Sequence, residues 1–135
     1  MKVSNSSIWQ TNCISALSFS PDAQYCALAT KQDHVVHLYR VNSLDNVDSW
    51  QLIQQFKELT QTVSDIDWSS DKKIVTASHD RSVVVWRQVA ENRWEKMLVN
   101  IDIKLSILVA RWAPSARKFA MGSSCNTLAI SYFNN

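Results

Sequence analysis

The chain has 135 residues, of which 46% are hydrophobic and 19% are charged, so it is large and apolar enough to bury the core of one ordinary domain. Its net charge of +2 is too small to indicate, by itself, binding to nucleic acid or to an anionic membrane. The cysteines form no Cys-x-x-Cys pair, and their odd number favours buried thiols in a reducing compartment over a disulfide framework.

The N-terminal residues 1–11 contain no apolar stretch typical of a signal peptide, and no apolar run approaches the roughly 20 residues that span a bilayer. We therefore expect a soluble, cytoplasmic protein without membrane insertion and without nucleic acid as a partner. The tripeptide Asn5-Ser6-Ser7 matches a glycosylation acceptor, but without secretion we interpret it as a chance match.

The first group of predicted strands lies in residues 14–39, where alternation and β-branched residues dominate and helical periodicity is weak. The alternating stretch "ISALSF" ends at Phe19 and is followed by a Ser/Pro/Asp turn. The small-residue strand "YCALAT" comes next, and after a polar turn that contains Asp33 a β-branched strand ends at Tyr39. The stretch "WQLIQQFK", which begins at Trp50, predicts a fourth strand.

The same order of elements recurs in residues 63–86. Here "VSDIDW" ends at Trp68, "KIVTAS" is the small-residue strand, the next turn contains Asp80, and "SVVVW" ends at Trp86. The stretch "WEKMLVNI", which begins at Trp94, predicts the fourth strand of this group.

A third copy lies in residues 108–133. Its first strand ends at Trp112, "KFAMGS" is the small-residue strand, and the last strand follows Asn126 and closes at Tyr132. Because the chain has one glycine, we expect Asn, Asp and Ser to supply the turns between all these strands.

The three groups form an internal repeat. In each, an Asx residue lies six residues before the closing aromatic, and we predict that these residues organise the turns: Asp33, Asp80 and Asn126. We predict core positions for the aromatic residues that share a register: Phe19, Trp68, Trp112, Tyr39 and Tyr132. Four short strands per repeat of about 40–50 residues are typical of a β-propeller blade. The sequence thus predicts an all-β fold, an incomplete propeller of about three four-stranded blades with units at about 8–58, 59–103 and 104–135.

The stretch "SHDRSVVVW" contains Ser78, His79 and Asp80, which are the residue types of a hydrolase triad. Triad side chains converge from distant positions, whereas adjacent residues in an extended chain point to alternating faces. The chain also shows no Gly-rich phosphate loop, no paired catalytic carboxylates and no Cys/His dyad. We therefore interpret this stretch as a turn between strands, and we expect neither enzymatic activity nor a cofactor.

The same stretch resembles the turn between the second and third strands of a WD repeat. The resemblance implies a hydrogen-bonded network of a His, a Ser or Thr, the Asp of this turn and the closing Trp. Asp80 and Trp86 match this pattern, and either Ser78 or Thr76 could supply the hydroxyl. Leu59 occupies the place of the His, so the resemblance implies only a partial network.

Longer stretches resemble one WD-repeat family, the propeller subunits of the actin-related protein 2/3 complex, which nucleates branched actin filaments. They are "RWAPSARKFAMGSSCNTLAISYF" (111–133), "DHVVHLYRV" (33–41) and "KIVTASHDRSVVVW" (73–86). The resemblance implies a non-catalytic scaffold at the actin cytoskeleton, whose partners are the other subunits of the complex and, through them, actin. Three alternatives stay open: a WD-repeat adaptor in another assembly, a propeller enzyme, and a non-functional partial fragment.

Members of that family have seven blades, so the resemblance also implies that this chain is only part of a propeller. Each blade buries its faces against its neighbours. An arc of fewer than three complete blades is expected to leave two apolar blade faces and unpaired strand edges open to association.

His34 and His37 could suggest a metal site, but they are three residues apart on a predicted strand and point to opposite faces. A metal site needs further convergent ligands, and none is evident, so we interpret both histidines as structural or exposed and expect no bound metal.

Two further groups of residues could face a partner. Four basic residues fall in the same turn of successive repeats and could form a rim for an acidic partner, although solvated turns are the simpler interpretation: Lys72, Lys73, Arg117 and Lys118. Three tryptophans outside the repeat register could bind a partner, although we favour packing between blades: Trp9, Trp50 and Trp94.

Overall fold

The computed structural model describes residues 8–134, and Asn5 therefore lies outside the described residues. Within 8–134 the chain forms three antiparallel β-sheets and one short 3-10 helix, Val47–Ser49, and no α-helix. The predicted all-β architecture of three propeller-like sheets is confirmed. The boundaries of the three units remain a prediction.

The sheets follow one another along the chain, and consecutive strands within each sheet pair antiparallel. The first sheet contains β1 (Ile14–Phe19), β2 (Tyr25–Thr30), β3 (Val36–Arg40) and β4 (Gln51–Phe56). The second contains β5 (Val63–Trp68), β6 (Ile74–Ser78), β7 (Val83–Ala90) and β8 (Arg93–Leu98). The third contains β9 (Ile107–Trp112), β10 (Lys118–Ser123) and β11 (Leu128–Tyr132).

The sheets stack face on face, and the second sheet lies in the middle. We call its face that carries Ile66 and Trp68 the front, and its face that carries Val75 and Val85 the back, and we use the same names for the corresponding faces of the other sheets. The back of the first sheet packs on the front of the second in one apolar cluster, and the back of the second packs on the front of the third in another. Small residues on the second strand and β-branched residues on the third, as at Ala77 and Val83, let the sheets approach closely.

The first strands of the three sheets, β1, β5 and β9, lie side by side. The Trp68 indole N–H donates to the Ser18 carbonyl at 3.0 Å across the first junction, and the Ser64 hydroxyl donates to the Ile107 carbonyl at 2.5 Å across the second. Equivalent turns of successive sheets therefore lie along the same rim of the molecule.

Left-handed backbone recurs at fixed positions of the turns. Ala23, Lys72 and Ala116 have positive φ in the turn after the first strand of each sheet. His34, Arg81 and Asn126 have positive φ in the turn after the second strand. Asp and Ser do supply hydrogen bonds in these turns, as the pairs Ser20–Asp22 and Ser69–Asp71 show. The left-handed position itself is mostly occupied by Ala, Lys, His and Arg, which the repeated backbone shape holds in a region that glycine prefers.

The single glycine, Gly122, serves a different purpose, because its φ is not positive. It lies in β10 opposite Val109, and a Cβ placed there would be 2.8 Å from the Val109 Cγ1 atom. The glycine therefore makes room for a neighbouring side chain within the third sheet.

Two of the predicted core aromatics are not in the core. Phe19 is 40% exposed and Tyr132 is 70% exposed, whereas Trp68 and Trp86 are buried. Phe19 lies on the front of the first sheet and Tyr132 on the back of the third, and within residues 8–134 no further sheet packs on either face. Tyr39 and Trp112 are half-buried.

Candidate functional site

Asp80 organises the turn between β6 and β7. Its Oδ2 atom accepts from the Thr60 backbone N–H at 2.9 Å and from the Thr60 hydroxyl at 3.0 Å, and its Oδ1 atom accepts from the Ser82 N–H at 2.8 Å. Burial alone would raise the pKa of Asp80, but these hydrogen bonds favour the carboxylate and hold the pKa below its ordinary value. The carboxylate thus ties the turn to the segment that leads into the second sheet.

The closing tryptophan makes its own hydrogen bond inside the sheet. The Trp86 indole N–H donates to the Thr76 hydroxyl at 3.1 Å, and that hydroxyl donates to the Val84 carbonyl at 3.3 Å. Ser78 instead accepts from the Asp80 backbone N–H at 3.2 Å. Thr76, not Ser78, is therefore the partner of the tryptophan, and no hydrogen bond between described residues joins this pair to Asp80.

Thr60 was missed by the sequence reasoning. Leu59, which stands where the WD pattern has a histidine, is buried in the first apolar cluster, while the next residue turns toward the Asp80 carboxylate. A threonine directly after the expected histidine position was the available signal, since its hydroxyl and its N–H can both reach a carboxylate.

Asp33 plays the corresponding part in the first sheet. It accepts from the Thr30 hydroxyl at 2.9 Å, from the Val35 N–H at 3.2 Å and from His37 Nε2, which lies 2.8 Å away. Burial opposes ionisation of Asp33, but His37 and the other donors outweigh it and lower the pKa.

The two histidines predicted near this turn, His34 and His37, do not form a metal site. His34 lies in the turn before β3, not on the strand as expected, and it has a φ of 55°. His37 is engaged by Asp33 and, through Nδ1, by the Gln55 amide at 3.2 Å. Among residues 8–134 there is no group of three or more His, Cys, Asp or Glu side chains that could hold a metal ion.

The third turn differs from the prediction by one residue. Ser123 N–H donates to the Thr127 carbonyl, as Ser78 N–H does to Ser82, which makes Cys125 the counterpart of Asp80. Asn126 occupies the left-handed position instead, with a φ of 59°. The count of six residues failed because the aromatic of the third repeat stands one position later than in the second. Ser131 pairs with Phe119 as Trp86 pairs with Ile74, and Tyr132 faces the opposite side.

The Cys125 thiol makes the contacts that a carboxylate makes in the other turns. Its sulfur lies 2.8 Å from the Ser123 hydroxyl oxygen and 3.2 Å from that of Thr127. These two hydroxyls lower the pKa of the thiol. Cys26, in contrast, is buried and its pKa is raised to about 11 by loss of solvation.

Two carboxylates that the sequence analysis did not single out link the second and third sheets. The Asp65 Oδ2 atom accepts from the Ala110 N–H at 2.9 Å and from the Arg111 guanidinium at 2.6 Å. The Asp67 Oδ2 atom accepts from the Trp112 N–H at 2.8 Å. Burial raises the pKa of Asp67 despite this bond. Both residues lie on the back of the second sheet, since Asp65 pairs with Ala77 and Asp67 with Val75, and their carboxylates bind the backbone of β9. They therefore fix the second and third sheets against each other.

The four basic residues predicted at the rim do not form one cationic surface. Lys72 pairs with Asp22 of the neighbouring turn at 2.5 Å. The Lys73 side chain is only 14% exposed, because it pairs with Asp71 and lies 5.4 Å over the Trp112 ring. Arg117 and Lys118 are exposed and make no ion pair with any residue in 8–134. Only these two remain as candidates to face a partner.

The three additional tryptophans have different surroundings. Trp94 packs against Phe56 and Trp68 in the first apolar cluster, as favoured from the sequence. Trp50 is half-buried and donates from its indole N–H to the Ser43 carbonyl at 2.8 Å. Trp9 is 39% exposed and covers Tyr39 with an edge contact.

Chemically, this arrangement stabilises strands and turns. The aspartates at positions 33, 65, 67 and 80 each accept a hydrogen bond from a backbone N–H group, and these bonds orient the chain. None of these contacts joins a general base to a nucleophile, which is the arrangement that covalent catalysis needs. Within the described residues, no helix is long and apolar enough to cross a membrane.

Comparison with known proteins agrees with this geometry. The family model described as "WD domain, G-beta repeat" matches residues 50–87, which include β4 to β6 and the Asp80 turn. The actin-related protein 2/3 complex subunit 1A of Arabidopsis thaliana is 36% identical over 121 residues, which cover 89% of this chain and 31% of that protein. The actin-related protein 2/3 complex subunit 1 of Saccharomyces cerevisiae is 32% identical over 117 residues, 87% of this chain and 29% of its own length.

The chain therefore spans about three-tenths of the length of the curated relatives that it matches. The resemblance stated from the sequence is confirmed over most of the chain. These 135 residues contain a WD repeat and are homologous to part of an actin-related protein 2/3 complex subunit 1.

Proposed function

We propose that the chain acts as a non-catalytic scaffold element of an actin-related protein 2/3 complex, in which it supports the nucleation of branched actin filaments. The similarity of 121 residues to a subunit of that complex carries this proposal. The location that follows is the cytoplasmic actin cytoskeleton. The partners that follow are the other subunits of the complex and, through them, actin.

The arrangement of the sheets supports a scaffold role. Equivalent turns lie along one rim, and the junctions between sheets combine apolar packing with hydrogen bonds such as that from the Ala110 N–H to Asp65. A scaffold needs its loops held at fixed relative positions, and these junctions supply that rigidity. Polar side chains of the turns, such as Asp33 and Asp80, hydrogen-bond to the backbone of the turns and so stabilise them.

On the rim, Arg117 and Lys118 are the residues that we propose to face a neighbouring subunit. They are exposed and unpaired within the described chain, whereas Lys72 and Lys73 are engaged by aspartates. Two adjacent cations on a turn suit an acidic surface, because exposed charges set the orientation and rate of association.

The test is affinity capture of the tagged chain from its own cells, followed by identification of the proteins that come with it. We expect both actin-related proteins and their companion subunits. The double variant Arg117→Ala/Lys118→Ala should reduce their recovery several-fold. Lys31→Ala/Lys57→Ala removes two exposed lysines that lie away from this turn and should leave recovery unchanged.

Recovery of an unrelated assembly would instead support a WD-repeat adaptor elsewhere. Recovery of chaperones alone would contradict a scaffold role for these 135 residues by themselves. Equal loss in both double variants would contradict the assignment of Arg117 and Lys118.

A further inference from the structure

The turns that follow the first strand of each sheet share one backbone shape. Ala23, Lys72 and Ala116 have positive φ, and the N–H group of each donates to the carbonyl three residues earlier at 2.9 or 3.0 Å. The residue before this left-handed position is therefore equivalent in the three turns. It is an aspartate in the first two turns and a serine in the third: Asp22, Asp71 and Ser115.

The two aspartates at this position are held by the same kinds of donor. The Asp71 carboxylate accepts from the Ser69 hydroxyl at 2.5 Å and pairs with Lys73 of its own turn. The Asp22 carboxylate likewise accepts from a serine hydroxyl at 2.7 Å, and it pairs with Lys72 at 2.5 Å. In both turns, a cation binds a negative charge at this position.

The third turn keeps the cation but lacks the negative charge. Lys118 is the counterpart of Lys73, because the residue after each pairs with the tryptophan that ends the preceding strand. Ser115 is exposed, and its hydroxyl makes no hydrogen bond with another residue in 8–134. The turn therefore offers a free hydroxyl where the other two turns have a paired carboxylate.

The second sheet shows that this position stays accessible when sheets pack on both sides. Neighbouring sheets cover the front and the back of the second sheet, yet the Asp71 side chain is 54% exposed. A residue at this position thus lies on the outer surface of the rim. We expect Ser115 to be accessible to an enzyme for the same reason.

The residues around Ser115 distinguish it from a second serine with the same sequence pattern. Ser70 and Ser115 are both followed, two and three residues later, by basic residues. The Ser70 hydroxyl donates to the Pro114 carbonyl at 3.0 Å, and aspartates hold both of its lysines. Arg117 and Lys118 make no ion pair with any described residue. The pattern is therefore available at Ser115 and occupied at Ser70.

We propose that Ser115 is a phosphorylation site and that its phosphate group takes the place of the Asp71 carboxylate, paired with Lys118. The enzyme would be a protein kinase with an acidic substrate groove, because cations follow the serine. The Ser115 Oγ atom attacks the γ-phosphorus of ATP, the bond from that phosphorus to the β-phosphate oxygen breaks, and ADP leaves. The hydroxyl proton passes to a carboxylate base of the kinase.

The phosphate group would change the charge of the proposed partner surface. It carries about −1.5 to −2 charges at pH 7, which offsets the charges of Arg117 and Lys118. This consequence rests on the proposed function, in which these two cations face an acidic surface of a neighbouring subunit. We therefore expect phosphorylation to reduce recovery of the companion subunits several-fold, because like charges then oppose each other.

Transfer of labelled phosphate tests the site. The purified chain is incubated with an extract of its own cells, magnesium and ATP labelled on the γ-phosphate, and peptide mass spectrometry locates the phosphate. Ser115→Ala should reduce incorporation several-fold. Ser70→Ala is the matched control, since Ser70 has the same pattern of following cations, and it should incorporate as much as the wild type. Circular dichroism verifies that each variant is folded.

Phosphorus NMR of the phosphorylated chain tests the pairing with Lys118. The second pKa of a phosphoserine is ordinarily about 6, and a paired cation lowers it because the cation favours the more highly charged form. Lys118→Ala should return this pKa toward its ordinary value. Lys104→Ala removes an exposed lysine from the segment before β9 and should leave the pKa lowered.

Three results would overturn the proposal: a wild type that incorporates no phosphate, equal incorporation in Ser115→Ala, or an ordinary phosphoserine pKa in the wild type. Equal recovery of the companion subunits by the phosphorylated and unphosphorylated chains would contradict the effect on the partner surface. Failure of the unphosphorylated chain to recover them would instead count against the proposed function, so the two failures are distinguishable.

Discussion

Replacement of Asp65 by alanine tests whether the carboxylates of β5 hold the second and third sheets together. Asp65 is 8% exposed, and its Oδ2 atom accepts from the Ala110 N–H at 2.9 Å and from Arg111 at 2.6 Å. Alanine removes both hydrogen bonds and leaves the Ala110 N–H without a partner in a region where Ala110 itself is fully buried. We expect the free energy of unfolding to fall.

The magnitude follows from two contributions. An unpaired buried N–H costs about 1–3 kcal/mol, and loss of its bond to a charged acceptor adds about 1 kcal/mol. The Arg111 side chain is 57% exposed, so its ion pair contributes no more than about 1 kcal/mol after solvent screening. The opposing effect is relief of the desolvation of the carboxylate. Because that carboxylate is hydrogen-bonded, we expect a net loss of about 2–4 kcal/mol.

Urea unfolding followed by tryptophan fluorescence measures this loss, since Trp68 and Trp112 flank the junction. Asp65→Asn should lose only about 1 kcal/mol, because its amide oxygen can still accept from the Ala110 N–H. Asp102→Ala, at an exposed position, should change stability by less than about 0.5 kcal/mol. Equal stability of Asp65→Ala and the wild type would refute the reasoning, because it would mean that desolvation cancels the bonds.

Four other outcomes are expected. Asp80→Ala should cost about 1–3 kcal/mol in urea unfolding, because two backbone N–H groups lose their acceptor; a change near zero would show that solvent replaces the carboxylate. Arg81→Gly should raise the free energy of unfolding by about 0.5–1 kcal/mol, because Arg81 is exposed and its φ of 70° lies in the left-handed region that glycine prefers. A lower free energy of unfolding would show that the arginine side chain makes a stabilising contact. A hydrogen bond from its lysine partner lowers the pKa of Asp22 from 3.8 to about 2, so the stability that this pair contributes is present above pH 3.8 and is lost as the pH falls toward 2. Asp22→Asn should remove this part of the pH dependence of unfolding, whereas the part from Asp33, Asp71 and Asp80, whose pKa values are also lowered, should remain. Iodoacetamide at neutral pH should alkylate Cys125 long before Cys26, as read by mass spectrometry of the peptides; equal rates would contradict the burial of Cys26 and the lowered pKa of the Cys125 thiol.

The strands were predictable from the sequence because their signal is local. "VSDIDW" and "KIVTAS" alternate or concentrate small and β-branched residues, and each became one strand of the second sheet. The fourth strands after Trp50 and within the stretch from Trp94 are likewise present as β4 and β8. Local patterns of this kind are read from a few neighbouring residues.

The third repeat shows where the pattern loses information. Counting from the closing aromatic matched Tyr132 with Trp86, but hydrogen bonding in the turn matches Ser131 with Trp86 and Cys125 with Asp80. The spacing of residues along the sequence cannot show whether an aromatic residue occupies the closing position of the strand or the position after it, and a shift of one residue moves a side chain to the other face.

The junction carboxylates were unpredictable for a different reason. Asp65 and Asp67 bond to backbone groups about 45 residues away in β9, and nothing near them in the sequence marks those N–H groups. In isolation the alternation in "VSDIDW" is that of a strand with one apolar face and one solvated polar face. Only the placement of β9 beside β5 brings the aspartates of that polar face against the third sheet.

The junction between the first and second sheets and the junction between the second and third sheets are stabilised by different interactions. The first relies on aromatic contact, with Phe56 stacked on Trp86 at a centroid distance of 4.3 Å and Trp94 packed edge-to-face against Phe56. The second adds the carboxylates of Asp65 and Asp67, which bind fixed N–H groups and therefore set the register of β9 as well as its distance. Apolar burial has no preferred direction, whereas charged hydrogen bonds do. Arg117 lies in the turn after β9, and Lys118 begins β10. The junction between β5 and β9 therefore also positions the two cations that we propose to face a partner.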